Sequence, residues 1–345
     1  MIMRQMTRRE LLTGLSLTGL GFVLASCSPK TAPPPQERAT SAPLAAKPTI
    51  SQQESEVAAS QPQEAAPVRE PTPAPPEAAY MAVARGSDPQ EITTKAIEAI
   101  GGMKRFVKPG YDVIVKPNIC NAYNGPEYAS TTNPIVVATL VQLALEAGAK
   151  RVRVMDYPFS GSGAMAYKRS GIEDAVKAFG GEMEEMNYAK FVEAEIPHGL
   201  DLKKWTFYKP ILDADLVINV PIAKHHNLAR LTLAGKNLLG VIQDRGSIHR
   251  NMGQRIADLT SLVRPQLNVV DAVRMLMDHG PTGGNLADVK EANTVIASHD
   301  IVAADAYATT LFGLKPEEIS YIAASAAMGL GSMALGELNI VELNF

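Results

Sequence analysis

Cysteine is nearly absent. Cys27 and Cys120 are the only two in 345 residues. That excludes a disulfide framework. With no CxxC pair, it also excludes a zinc knuckle, a thioredoxin site and an iron–sulfur cluster ligated by this chain alone. Positive charge is not in excess either. Lys and Arg number 33 against 36 Asp and Glu, a net charge of -3, so the footprint of a general nucleic-acid binder is missing. Beyond the first 25 residues no long apolar run occurs, which excludes a polytopic membrane protein. Hydrophobic residues at 46% and charged residues at 20% are ordinary for a folded chain.

What is present begins with an address. Arg4, Arg8 and Arg9 precede an apolar stretch from Leu11 to Ala25. It is too short and too rich in Gly, Ser and Thr for a spanning helix, and it is built like a signal peptide. Thr7-Arg8-Arg9-Glu10-Leu11-Leu12 resembles a twin-arginine export signal. Leu24-Ala25-Ser26-Cys27 resembles a lipobox, whose cysteine becomes the lipid-modified first residue of the mature chain. Together they predict a signal peptide over residues 1–27, with lipidation at Cys27, and a protein exported to the periplasmic or cell-surface face. Diacylation plus N-acylation meets the need of stable anchoring for more than one acyl chain. The membrane, through this anchor, is the first expected partner.

Residues 28–78 are a different material. They hold 12 of the 24 prolines and 11 alanines, with no glycine and no aromatic residue. Such a segment buries too little apolar surface to offset its ordering entropy. Proline without glycine favours extended polyproline II, and 51 residues at roughly 3.1 Å each reach on the order of 150 Å. The expectation is a disordered, semi-rigid stalk.

The body, residues 79–345, alternates strand and helix signals. Strands are expected at Tyr80–Ala84, Asp112–Val115, Arg151–Met155, Leu216–Val220, Asn268–Val270, Thr294–Ala297 and Asn339–Leu343. Helices are expected at Glu91–Ile100, Pro134–Ala147, Met165–Phe179 (with an interruption at Ser170-Gly171), Arg255–Val263, Ile301–Phe312 and Glu317–Met328. Apolar runs such as Val113-Ile114-Val115 suit strands buried on both faces. The alternation predicts an α/β domain with a mostly parallel, Rossmann-like sheet and helices on both faces. Short strands between Met183 and Pro210 predict a small β-rich antiparallel insert.

In an open parallel sheet, ligands bind outside the carboxyl ends of the strands. The segments that follow the expected strands are Lys116-Pro117-Asn118, then Asp156 with Ser160-Gly161-Ser162-Gly163, then Lys224-His225-His226-Asn227, then Asp271 and the stretch from Asp278 to Gly284. Lys116, Lys224, Lys236 and Arg245 offer positive charge to an anion. Alanine at Lys224 or Lys236 is expected to weaken anion binding and leave the melting temperature nearly unchanged. Ser160–Gly163 precedes a helix and could present N–H groups to a phosphate or carboxylate. His225, His226, His249 and His279 are all expected in loops. With an aspartate such as Asp271 they suit two chemistries: ligation of a transition metal, by His225, His249 and His279, or acid–base catalysis and anion contact, by His225, His249 and Asp271. Adjacent His225 and His226 in extended backbone would point opposite ways, so only one faces the site. Cys120 is a lone thiol, of the kind most often buried as a small hydrophobe.

Several segments taken together resemble the family described as domain of unknown function 362. They are Val115-Lys116-Pro117-Asn118, Thr131-Thr132-Asn133-Pro134, Glu146 through Val154, Lys224-His225-His226, Thr232 through Gly240 (TLAGKNLLG), Arg245 with His249, Gly280-Pro281-Thr282-Gly283-Gly284, and Ala297 through Ala306. The resemblance covers about Tyr80 to Leu330. It implies an α/β domain and reinforces Lys116, Asn118, Lys224, His225, Lys236, Asn237, Arg245 and His249 as site residues. Some members carry a ferredoxin-like cysteine module, which implies redox settings; this chain lacks those cysteines.

These observations lead to an envelope-anchored lipoprotein whose α/β domain handles a small anionic ligand, as a metal-dependent or redox-associated enzyme. The alternatives are a non-catalytic anion- or metal-binding lipoprotein and an accessory subunit of a membrane redox complex. No substrate, reaction or cofactor is fixed by the sequence.

Overall fold

Thr132-Asn133-Pro134 starts a helix, as its composition predicts. The Asn133 side chain accepts the N–H of Ile135, Pro134 takes the first helical position, and the helix runs Pro134–Glu146. The computed structural model describes residues 78–345. Arg8, Arg9, Cys27 and the stalk up to residue 77 lie outside the described residues. Among the described residues, no helix is long and apolar enough to cross a membrane.

In chain order the strands are β1 (Met81–Arg85), β2 (Asp112–Pro117), β3 (Arg151–Val154), β4 (Glu182–Met183), β5 (Phe191–Glu195), β6 (Lys204–Tyr208), β7 (Leu216–Val220), β8 (Ile222–His226), β9 (Arg230–Thr232), β10 (Leu267–Leu276), β11 (Val289–Ser298) and β12 (Ile340–Asn344). The main sheet has the order β12-β1-β11-β10-β7-β2-β3-β4. Along this path the pairs are parallel except at β11, which runs antiparallel to both β1 and β10; β8 and β9 complete the ten-stranded sheet as an antiparallel pair beside β10. Side chains alternate between the faces, as a two-residue period requires. Ile114, Val217, Val270 and Ile296 join one core cluster, and Val113, Val115, Ile218, Val269 and Val295 join the other. Helices Met252–Val263, Ile301–Thr310 and Ser320–Ala327 contribute to the first core. Helices Pro89–Ala99 and Pro134–Glu146 contribute to the second. The predicted α/β sheet with helices on both faces is therefore present, and β5–β6 is the expected antiparallel insert, with Phe191 opposite Tyr208.

Two differences matter for the site. The strands expected at Asn268–Val270 and Thr294–Ala297 are each ten residues long, because their continuations pair with each other beyond a register shift between Ala272 and Arg274. The segment after Val220, expected as a loop, is strand β8, and it turns back through β9. β7 and β8 run as one broken line beside β10, with Leu267 opposite Ile218 and Asp271 opposite Ile222. The break is Pro221, which has no N–H to offer a ladder; its carbonyl accepts the N–H of Asp271 at 2.8 Å. β2 pairs with β7 as far as Pro117 opposite Val220 and then stops, while β8 continues. The carboxyl ends of β2 and β3 thus open beside the β8–β9 hairpin, and the polar residues gather there.

Candidate functional site

Two short polar strand ends begin the site. Lys116, at the end of β2, is 1% exposed and ion-pairs with Asp156 Oδ1 at 2.8 Å. Asp156 follows β3, and its other oxygen accepts the N–H of Ile119 at 2.6 Å. Lys116 also donates to Pro117 O and to Asn237 Oδ1, each at 2.9 Å. Asn237 Oδ1 takes a second hydrogen bond from Asn118 Nδ2, while Asn118 Oδ1 accepts Lys224 Nζ at 2.9 Å. An Asn–Asn relay therefore ties Lys116 to Lys224. Lys224 completes its donors on the carbonyls of Ser130 (2.7 Å) and Pro281 (3.0 Å). Burial lowers the pKa of both amines; the Asp156 carboxylate opposes this at Lys116.

Glycines permit this density. A Cβ on Gly240 would stand 1.9 Å from Asp156 Oδ1 and 2.5 Å from Lys116 Nζ. A Cβ on Gly280 would meet the His225 carbonyl at 1.8 Å. The glycine that ends TLAGKNLLG and the one that opens GPTGG are thus where two backbones approach the polar cluster too closely for any side chain.

Lys236 stands apart from the other two lysines. It lies on the short helix Ala234–Asn237, whose first N–H groups, from Ala234 and Gly235, are accepted by the buried Asp305 at 2.6 and 2.8 Å. Lys236 is 8% exposed, and among the described residues its amine has no hydrogen-bond or ion-pair partner. Burial, with Lys224 and Arg245 repelling it, brings its pKa down to about 7. Close by, the buried Thr232 hydroxyl has no partner either. Arg245 donates to the Tyr157 carbonyl at 2.7 Å and lies 4.5 Å over the Tyr157 ring, with no ion-pair partner among the described residues.

These groups line one cavity of about 420 Å³, with Lys116, Asn118, Cys120, Lys224, Lys236, Asn237, Arg245, His226 and His249 in its wall. Asp156 is the one acidic residue in that wall. Three lysines and an arginine against one carboxylate make it strongly cationic. A neighbouring cavity of about 930 Å³ shares Asp156, Tyr157, Phe159 and Arg245 with it.

The histidines divide differently from the sequence reading. Because β8 is extended, Lys224 and His226 share a face and His225 points the other way. His226, not His225, lines the cavity. Its Nδ1 accepts the N–H groups of Leu228 and Ala229 at 3.1 and 3.2 Å, which places the proton of the neutral ring on Nε2. Burial, with Lys236 and Lys224 nearby, pushes its pKa down to about 3, so it stays uncharged. His225 Nδ1 accepts the N–H of Gly280 at 3.1 Å. His249 reaches the cavity from the turn His249–Asn251 and contacts Gly246 O at 3.2 Å. His279 is exposed and pairs with Asp288 at 2.9 Å, a hydrogen bond that raises its pKa. His225, His249 and His279 are not gathered into one ligand set: among the described residues, no group of three or more His, Cys, Asp or Glu is placed to hold a metal ion. Asp271 is fully buried and accepts the N–H groups of Asn133 (2.6 Å) and Val273 (2.9 Å). It joins a helix start to the sheet and does not line the cavity.

Ser160–Gly163 lines the larger cavity. The helix start there already has an anion: Glu185 accepts the N–H of Ala164 at 3.2 Å, and the Ser162 hydroxyl accepts that of Met165. Cys120 is buried, with its thiol 3.5 Å from Pro281 O. The strand-end rule reaches His225 and His226 together and selects His225, whereas His226 faces the cavity; Thr232 lies beyond the segments that rule selects. Recognising β8 as a strand would have found His226, two residues after Lys224.

The chain resembles known proteins at three levels. A family model described as Domain of unknown function (DUF362) matches residues 113–310, which hold most of this site. The thylakoid-associated protein sll1697 of Synechocystis sp. is 30% identical over 248 residues, covering 69% of this chain and 74% of that protein. The lactate racemase apoprotein of Thermoanaerobacterium thermosaccharolyticum superposes over 72% of this chain with a TM-score of 0.41 and 12% identity, and this chain spans 59% of its length. The family match over more than half of the chain, together with the Synechocystis relative, places the protein in the DUF362 family.

Proposed function

We propose that the 420 Å³ cavity is a binding site for a small organic or inorganic anion, carried on an exported lipoprotein. One observation carries the reading. Lys236 is nine-tenths buried with no partner among the described residues, next to the orphaned Thr232 hydroxyl. A buried cation without a counter-charge is costly, and an anionic ligand removes that cost. Lys116 and Lys224, locked by Asp156 and the Asn relay, supply fixed positive charge around it, and Arg245 adds a guanidinium suited to carboxylate or phosphate. His226, neutral and with its proton on Nε2, offers a hydrogen-bond donor, and His249 stands exposed at the rim.

The test is ligand-induced stabilisation of the full chain by oxalate, phosphate and citrate. A ligand at about one hundred times its Kd stabilises by about 2.7 kcal/mol. No shift with any of these anions, in protein whose fold is intact, would remove the reading.

The envelope setting rests on Thr7 through Leu12 and on Leu24 through Cys27, and the thylakoid association in the name of the Synechocystis relative agrees with work at a membrane. Cys27→Ala is expected to move the protein from the membrane to the soluble fraction. Lysine at both Arg8 and Arg9 is expected to stop export. Membrane retention of the first variant, or normal export of the second, would refute the corresponding part.

A further inference from the structure

We infer that Lys236 is a carbonyl-capturing amine, so that the anion this cavity takes is a small carbonyl acid, such as a 2-oxo acid, held as an imine. The inference rests on the anion-binding reading and names its ligand class.

Three buried lysines enter the cavity, and their surroundings separate them. Lys116 is held by Asp156, Pro117 O and Asn237. Lys224 spends its three N–H groups on Asn118, Ser130 and Pro281. An amine saturated in this way, with an ion pair or three acceptors, has no lone pair to offer. Lys236 has no acceptor at all among the described residues, although it is only 8% exposed. Its nitrogen is therefore left to reach a carbon atom of a bound ligand.

The surroundings also favour the neutral amine that the addition requires. Enclosure and two neighbouring cations, Lys224 and Arg245, disfavour the ammonium form. Arg245 would hold the carboxylate of the incoming acid, with Lys224 adding its charge, and leave the carbonyl to Lys236. Thr232 Oγ1, buried without a partner, can hydrogen-bond the carbonyl oxygen. In the addition the Lys236 nitrogen bonds to the carbonyl carbon, the C–O bonds break, and the two hydrogens of the amine leave with the oxygen as water. No oxidant or reductant is consumed. His249 is the ring in the cavity wall through which those protons can pass.

Reductive trapping tests this. The full chain is incubated with glyoxylate and sodium borohydride, then analysed by intact mass and peptide mapping. Hydride adds to the imine carbon and fixes the adduct as a secondary amine. The expected result is one adduct per chain on the peptide that holds Lys236, blocked by excess oxalate and lost in Lys236→Arg, which keeps the charge but cannot form the imine. If glyoxylate and oxalate both raise the melting temperature but no adduct maps to Lys236, the inference fails and the anion site stands. If neither raises it and oxalate does not protect, both fail. Should Lys236→Arg not fold, mapping and oxalate protection in the unaltered protein decide the matter.

Discussion

Lys116 and Asp156 form an ion pair at 2.8 Å with side chains 1% and 4% exposed, and the α-carbon of Gly240 closes over them. A methyl group at residue 240 would overlap both partners, at 1.9 Å from the carboxylate and 2.5 Å from the amine. Neither can retreat, since Asp156 also holds Ile119 N and Lys116 also holds Asn237. Gly240→Ala is therefore expected to break the pair inside the protein. Breaking a buried pair costs about 3–5 kcal/mol. The denaturant midpoint should fall accordingly, with anion-induced stabilisation lost as well. An unchanged midpoint would mean that the pair has room that this geometry does not show.

The buried lysines should respond in opposite directions to removal. Lys224→Ala leaves Asn118 Oδ1, Ser130 O and Pro281 O without their donor. Unsatisfied buried acceptors cost about 1–3 kcal/mol each, so a loss of at least about 2 kcal/mol is expected. This outcome differs from the one expected from the sequence, because three fixed acceptors depend on the Lys224 donors.

Lys236→Met deletes an unpartnered buried charge and keeps the methylene packing. Thermal melts near pH 6, where the amine is charged, should show the variant more stable than the parent, with no response to oxalate. The excess should shrink as pH rises past about 7, the value to which burial brings the amine. A less stable variant at pH 6 would show that Lys236 has a stabilising partner after all.

Much of this architecture is written in the order of residues, and the remainder is lost for physical reasons. Val113 through Val115 and Leu216 through Ile218 are apolar on both faces because the sheet is covered twice, and such runs are visible by themselves. Lys116, Asp156 and Lys224 follow from the rule that strand ends in a parallel sheet carry the chemistry. His225 reads as the site histidine in place of His226 because Pro221 ends a ladder locally, and a strand that resumes one residue later looks like a loop. Asp271 reads as a strand-end site residue, but β10 continues through it to Leu276, and its carboxylate serves the backbone N–H groups of Asn133 and Val273. The Asn118–Asn237 relay joins residues 119 apart. No local pattern encodes such a pairing.

Asp305 gives a pH prediction with a definite sign. It is buried, which raises its carboxyl to about 7 from an ordinary 3.8, and the backbone N–H groups of Gly235 and Ala234 only partly offset this. The folded protein therefore holds a proton that the unfolded chain has released between pH 3.8 and about 7. Stability from this group is fully present below the lower value and is lost as pH rises through the upper one. Asp271, raised to about 6, acts in the same sense. His226, lowered to about 3, acts in the opposite sense up to its ordinary 6.5, so the bare pH profile mixes the two. Asp305→Asn separates them. Its amide faces one of the two N–H donors wrongly, a cost independent of pH, but it cannot titrate. The stability of the variant relative to the parent should rise steadily between pH 4.5 and 7.5, by a few kcal/mol at most, and level off above. Guanidinium unfolding curves at four or five pH values measure it. A difference that stays constant with pH would mean that Asp305 is ionised throughout and that its two backbone donors outweigh its burial.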